Sequence, residues 1–302
     1  MADGATIAIV PAWALAEGTP GDCGPIAIDA RHRHEFARGH IPGATWLGWE
    51  EWCAPPPPGA ARTLAEPGYW GGLDRPEQLA GRLADAGIRD DRLLLVHADG
   101  PHVKGRVGRI ARMLLYLGAA DVRLLNGGWS AWVAAGGPVS TEARAPVVGR
   151  FAPAVREHRR ATLPELRHRY LAGTPPLFVD TRSGDEYEGR IHLYLPRMGH
   201  LQGAVLFPFA DLFQPDGIYA APSTYLERLP ERARRDVELA TYCEVGVGAS
   251  PHSAAARDRH RQDCGSLRRI ADGLGARSRP PGASRRDTGS LRNCSPASNS
   301  PS

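Results

Sequence analysis

The chain has 302 residues, 42% of them hydrophobic, enough for about two ordinary domains, and no apolar run approaches the ~18 residues that cross a bilayer. The formal net charge is +4, yet ten Arg stand against four Asp from residue 251 onward, so residues 1–250 are slightly acidic. That basic tail holds no aromatic residue, which argues against nucleic acid as a partner.

Five cysteines (Cys23, Cys53, Cys243, Cys264 and Cys294) form no CxxC pair. The pattern argues against a disulfide framework or a zinc knuckle and fits a reducing cytoplasm. The opening MADGATIAIVPAWALAEG lacks the basic start of a secretory signal. A cytoplasmic protein without a membrane partner is therefore expected.

In chain order, GPIAIDARHRHEFARGHIPGA (24–44) begins with a β-rich run that ends in Asp29. Arg31, the pair Glu35-Phe36 and a Gly-His-apolar-x-Gly-Ala closure follow. The aromatic cluster Trp46, Trp49, Trp52 and Trp70 reads as core and interface rather than a ligand box. DRPEQLAGRLADAGI (74–88) reads as a helix with Asp74 at its N-cap and Pro76 in the first turn. An apolar strand, RLLLVHAD, comes next. KGRVGRIARMLLYLG (104–118) then places Val107, Ile110, Met113, Leu114 and Leu117 at helical spacing. DVRLLNGGWSAW (121–132) reads as a strand, a Gly-Gly turn and two tryptophans.

The skeleton then repeats. PLFVDTRSGDEYEGRIHLYLPRMGHLQGA (176–204) carries Asp180, Arg182, Glu186-Tyr187 and a second Gly-His-apolar-x-Gly-Ala, with about nine extra residues before the Gly-His. The two aspartates lie 151 positions apart, a domain length rather than a solenoid period. APSTYLERL, opened by Ser223, is the counterpart of the 74–88 helix, and ELATYCEV is the counterpart of RLLLVHAD. Strands and helices alternating in this way predict an α/β fold of mostly parallel sheets flanked by helices. The divisions expected are a domain over 1–139, a linker over 140–160, a second domain over 161–250 and an Arg/Ser/Pro-rich tail over 251–302.

The copies part near the end. From 251 to 302 only Leu267, Ile270, Leu274 and Leu291 are large and apolar. That density does not offset the entropy of ordering such a segment. The tail is expected to be disordered, and the second domain to stop one strand and two helices early.

The chemistry gathers at LATYCEVGVGAS (239–250). Taken alone, a cysteine at a strand end is commonly a small buried hydrophobe. Glycines at 246 and 248 shift that balance, because they let successive backbone N–H groups turn inward as an anion nest. Such a nest favours a nucleophilic thiolate, or an anionic persulfide. Phosphate-ester hydrolysis needs a Cys-x5-Arg loop, and the position six after Cys243 is Ala249, so that chemistry lacks its charge stabiliser.

The repeated Asp-x-Arg, the Glu-Phe/Tyr, GHIPGA, GGWSAW and the Cys-x-x-Gly loop together resemble a tandem rhodanese over about residues 5–250. The resemblance is to the thiosulfate or 3-mercaptopyruvate sulfurtransferase family. It implies a structural first domain and a second domain that carries a persulfide on Cys243, with no metal or organic cofactor. Ala98 stands at the matching position of the first copy. The implied substrate-binding set is Arg182 with the loop residues Glu244, Val245, Gly246, Val247 and Gly248. Its implied partners are a small sulfur donor and a thiol or cyanide acceptor.

Glu244-Val245-Gly246 matches neither the basic loop of thiosulfate-using members nor the Gly-Ser-Gly of mercaptopyruvate-using ones. Glu186 stands where some members place a substrate-binding arginine, which leaves Arg190 and Arg197 as further anion contacts or surface ion pairs. His40 and His200 read as turn-stabilising groups, with His40 a lesser candidate to face the other domain's pocket. The competing expectation is a truncated, catalytically impaired rhodanese that acts as a binding module or a non-functional product.

Overall fold

The computed structural model describes residues 7–12, 24–54, 72–99, 105–144, 147–191, 198–234, 238–243, 246–247, 249, 252 and 260–263. Two five-stranded parallel sheets make up its frame. The first comprises β1 (Ile7–Pro11), β2 (Ile26–Asp29), β3 (Thr45–Trp46), β4 (Leu93–His97) and β5 (Asp121–Asn126), in the spatial order β1-β5-β4-β2-β3. The second comprises β6 (Arg160–Ala161), β7 (Leu177–Asp180), β8 (Val205–Leu206), β9 (Leu239–Tyr242) and β10 (His260–Asp263), in the order β6-β10-β9-β7-β8. Strand for strand, the two orders are the same.

β2, β4, β7 and β9 are short and mostly apolar, as a sheet covered on both faces requires. β2 (IAID) and β9 (LATY) are buried at every position. Helices α1 (Arg33–Arg38), α2 (Pro76–Asp85), α3 (Arg106–Tyr116) and α4 (Gly128–Ala134) accompany the first sheet. Helices α5 (Leu163–Leu171), α6 (Gly184–Glu188), α7 (Pro222–Arg228) and α8 (Glu231–Arg234) accompany the second. The apolar stripe expected on α3 is present, and Val107, Ile110, Met113, Leu114 and Leu117 are all buried.

Three expectations are revised. The N-cap of α2 is Arg75, not Asp74, whose carboxylate instead accepts the N–H of Arg75 at 2.8 Å. Pro76 presets the first helical turn, so the helix begins there. α7 likewise starts at Pro222, one residue before Ser223.

The third revision concerns the second sheet, which does not stop a strand short. Residues 260–263 pair in parallel with both β6 and β9, filling the position that β5 fills in the first sheet. Backbone hydrogen bonding to two neighbours gives this segment its place although its sequence is not apolar. The rest of the 251–302 stretch, His252 excepted, lies outside the described residues.

The 140–160 stretch is anchored rather than free-running. Ser140 exchanges both backbone hydrogen bonds with His40, and the N–H groups of Ala154 and Arg156 donate to the carbonyls of Leu117 and Tyr116, at 2.8 Å each. A hydrophobic cluster runs from Ile28, Leu94 and Leu124 of the first sheet to Val179, Phe207 and Leu239 of the second. The two halves share that core.

Candidate functional site

Strand register aligns the two halves residue by residue. Asp29 lies opposite His97 on the β2–β4 pair, and Asp180 lies opposite Tyr242 on the β7–β9 pair. His97 and Tyr242 are therefore equivalent, and so are the residues that follow them, Ala98 and Cys243.

Beneath both positions lies the same polar pin. In the second half, Arg182 donates from Nε to Asp180 Oδ1 (3.0 Å) and from Nη2 to Asp180 Oδ2 (2.6 Å). Its Nη2 also reaches the carbonyl of Gly199 at 2.8 Å. In the first half, Arg31 binds Asp29 in the same fork and reaches the carbonyl of Gly39 at 2.7 Å. Both aspartates are fully buried and both arginines nearly so. A buried carboxylate tolerates burial only when paired and hydrogen-bonded, and the forked guanidinium supplies both conditions. The Asp180 charge drives the guanidinium of Arg182 further toward its charged form, against the opposing effect of burial.

The Gly-His loops pinned in this way are closed by a stacked pair. The His40 ring lies on Phe36 with centroids 4.0 Å apart, and the His200 ring lies on Tyr187 at 3.7 Å. The Nδ1 of each histidine donates to the backbone carbonyl of its stacking partner, at 3.0 and 2.7 Å. The Nε2 of His40 faces the carbonyl of Glu142 at 3.0 Å, within its own half. His40 is thus part of the first half's turn rather than a group reaching into the second half.

Cys243 follows β9 directly and is buried. The backbone N–H of Gly246 donates to its Sγ at 3.1 Å, with Gly246 at φ +79°, where a side chain would be strained. This is the inward-turned amide the two glycines lead one to expect. Val247 and Ala249 are also buried. Glu244, Val245 and Gly248 lie outside the described residues.

Two hydroxyls fix the ends of the loop. Thr181 donates from both its N–H and its Oγ1 to the carbonyl of Tyr242, at 3.0 Å each. Thr241 donates from Oγ1 to the carbonyl of Ala249 at 3.4 Å. The Tyr242 hydroxyl accepts the N–H of Leu201 at 3.2 Å. Burial, reinforced by the Asp180 charge, pushes that phenol well above its ordinary value and keeps it neutral. His252 is fully buried, and its ring lies edge-on to Phe207 at 4.9 Å.

The remaining expected contacts fall elsewhere. Arg190 pairs with Asp185 and Glu188 on an exposed face, which makes it a surface ion pair. Glu186 accepts the N–H and the Oγ of Ser183 at 3.0 and 2.7 Å, closing a capping box on α6. Trp49 and Trp52 are core residues, and Trp46 donates its indole N–H to the carbonyl of Arg31 at 2.9 Å. Arg197 and Trp70 lie outside the described residues.

The Nε and Nη2 of Arg182 are committed to the Asp180 pin and the Gly199 carbonyl. Thr181 and Thr241 were not singled out in the sequence. Aligning the two copies in register would have flagged them, because Ala30 and Val96 occupy those positions in the copy that has Ala98 in place of Cys243.

Residues 13–135 match the family model described as the rhodanese-like domain. A probable 3-mercaptopyruvate sulfurtransferase of Pseudomonas aeruginosa is 30% identical over 223 residues, covering 71% of this chain and 73% of that protein. A thiosulfate sulfurtransferase of Azotobacter vinelandii is 29% identical over 222 residues, covering 73% and 76%. The crystal structure of SseA from Escherichia coli, a 3-mercaptopyruvate sulfurtransferase, superposes with a TM-score of 0.70 at 21% identity. That superposition covers 86% of this chain and 99% of SseA. Among the described residues no helix is long and apolar enough to cross a membrane.

Proposed function

Because the chain belongs to the rhodanese family of sulfurtransferases, we propose that it moves a sulfane sulfur through a persulfide on Cys243. The donor is a small molecule such as thiosulfate or 3-mercaptopyruvate, and the acceptor is cyanide or a thiol. One observation carries the reading: the sulfur of Cys243 sits at the end of a parallel strand with the Gly246 N–H directed onto it at 3.1 Å.

The steps balance without an external oxidant. The Cys243 thiolate attacks the outer sulfur of thiosulfate, an S–S bond forms to the protein, and sulfite leaves with the electron pair of the broken S–S bond. The acceptor then attacks the terminal sulfur of the persulfide, and the electron pair returns to Cys243 as thiolate. Backbone amides suit both stages, because thiolate and persulfide are both anions. The loop residues Glu244, Val245, Gly246, Val247 and Gly248 are proposed to line the donor pocket. The role proposed for Arg182 is to hold the Gly199 loop beside it.

The residues divide as a first unit over 1–139, a connector over 140–160 and a second unit over 161–250 that is extended by 260–263. The impaired-remnant reading rests on one strand and two helices missing after residue 250; β10 occupies the place of the strand, and residues 253–259 and 264–302 lie outside the described residues. Mass spectrometry of the donor-treated protein is expected to show one added sulfur atom on the peptide containing Cys243, absent in Cys243→Ser. A donor-treated protein without that added mass overturns the proposal.

A further inference from the structure

Two hydroxyl hydrogen bonds distinguish the half that bears the cysteine from the half that does not. At the entrance of the Cys243 loop, Thr181 Oγ1 joins the Thr181 N–H on the carbonyl of Tyr242, the residue immediately before the cysteine. At the exit, Thr241 Oγ1 reaches the carbonyl of Ala249. Thr181, Thr241 and Ala249 are all at most 2% exposed. In the first half the matching residues are Ala30 and Val96. There the N–H of Ala30 alone donates to the carbonyl of His97, at 2.8 Å. Strand pairing therefore needs neither hydroxyl, since the first sheet builds the same β2–β4 pair without them.

What the hydroxyls add is a fixed span. Cys243 and Ala249 close a short loop, and its midpoint must stay turned so that the Gly246 N–H faces Sγ. Gly246 holds that turn only at φ +79°, a conformation glycine leaves freely. Tying down both loop ends with buried bonds restricts the departure. A buried hydroxyl without a partner is itself costly, which makes each bond hard to release.

We propose that Thr181 and Thr241 are positioning residues for the Cys243 nucleophile: they clamp the two ends of its loop and thereby hold the Gly246 amide on the sulfur. The clamp deepens the sulfur-transfer reading of Cys243 and rests on it. Neither threonine touches the sulfur. Their effect passes through the loop backbone, and the replacements found at Ala30 and Val96 mark what the sheet alone requires.

The test is site-resolved alkylation of the full-length protein with iodoacetamide, read by mass spectrometry at the Cys243 peptide across a pH series. Wild type is compared with Thr241→Val, Thr241→Ser, Thr181→Val and Thr181→Ser. The valine variants are expected to alkylate Cys243 about tenfold more slowly at neutral pH, with the half-maximal rate displaced upward by about one pH unit. The serine variants keep the hydroxyl and are expected to follow wild type. Persulfide formation from thiosulfate should fall in the same proportion as the alkylation rate.

A purely structural role would lower the melting temperature and leave the pH profile of Cys243 in place. Valine variants that keep the wild-type profile overturn the proposal, and so do serine variants that shift as far as valine. Should Thr241→Val fail to fold, Thr241→Ala against Thr241→Ser makes the comparison, and equal profiles overturn the clamp. Failure of the sulfur-transfer reading shows separately, as a wild-type protein that gains no sulfur from any donor while the alkylation comparison still stands.

Discussion

The two halves of this molecule are one scaffold carrying two different loops. Both place an aspartate at the end of the second strand of the sheet, bind it with the arginine two residues on, and use that arginine to hold the next Gly-His loop. What recurs in both halves is architecture. What differs lies at the end of the central strand, where His97-Ala98 is matched by Tyr242-Cys243 and Ala30 and Val96 are matched by two hydroxyls. In the first half that strand end is packed shut: a Cβ on Gly128 would lie 1.6 Å from the carbonyl oxygen of Ala98, and Asp99 binds the N–H and Oγ of Ser130. In the second, the same place presents a sulfur to an amide. The first half thus serves as an internal control for the second, separating the residues the sheet needs from those its chemistry needs.

The sharpest way to break this comparison is to move the sulfur. Cys243→Ser is expected to abolish sulfur loading, and adding Ala98→Cys to it should restore none. The first half has Gly128 pressed against the Ala98 carbonyl, where the second turns the Gly246 N–H onto Sγ. Donor-dependent mass gain on the relocated cysteine would show that the two loops are interchangeable and that the difference drawn here is empty.

The next largest effect should be equal in the two halves. Replacing Arg31 or Arg182 with Met leaves a buried aspartate unpaired, which costs about 3–5 kcal/mol. Denaturant titration of the two variants measures it. A large loss in one half and none in the other would contradict the claim that the pin is shared architecture.

How far the sequence foretells all this depends on how local the cause is. The repeat, the strands β2, β4, β5, β7 and β9, α3 and the candidate nucleophile are legible, because apolar runs, helical spacing and a Cys-x-x-Gly turn act over a few residues. The shared Asp-x-Arg of the two copies, Asp29/Arg31 and Asp180/Arg182, is also legible, since the repeat carries it in both. β10 is not, because His-Arg-Gln-Asp has no strand composition and its pairing is supplied by the backbones of β6 and β9. The N-cap of α2 shifts by one residue because Pro76 sets the start more strongly than the Asp74 side chain does. Arg182 reads as an anion contact in the sequence, and its bond to the Gly199 carbonyl, 17 residues on, is a tertiary fact. The threonines of the loop are hidden for the same reason, since a hydroxyl in a strand is unremarkable until its acceptor is seen.

A smaller effect sharpens the account of the amide. Gly246→Ala places a side chain at φ +79°, a conformation that costs about 1–2 kcal/mol for an L-residue. Relaxing that strain turns the N–H from the sulfur. The expected outcome is a modest loss of stability and a larger loss of Cys243 alkylation at neutral pH. Gly43, at φ +72° with open space around it, lies in the first half's Gly-His loop. Gly43→Ala should therefore cost similar stability and leave Cys243 alkylation unchanged. Equal alkylation in both variants would detach the Gly246 amide from the chemistry.

The smallest expected effect tests the strand end of the first half alone. His97 is fully buried, with Nε2 3.8 Å from Asp29 and its ring stacked toward Trp129. Burial holds its imidazole below the ordinary value. The Asp29 and Asp99 charges oppose that shift, and those of Arg31 and His40 reinforce it. A base depressed in the folded state stays neutral there while the unfolded chain takes up a proton below about pH 6.5. Its contribution to stability is therefore whole above that pH and is lost as pH falls, by at most about 1.4 kcal/mol per pH unit. His97→Tyr installs the residue found at the equivalent position of the second half, Tyr242, whose phenol stays neutral throughout this range. Melting temperatures of the two proteins should diverge as pH drops from 7.5 to 5, with the variant falling less. Parallel curves would mean that His97 takes up its proton without leaving the fold, and that burial at this strand end is weaker than its packing implies.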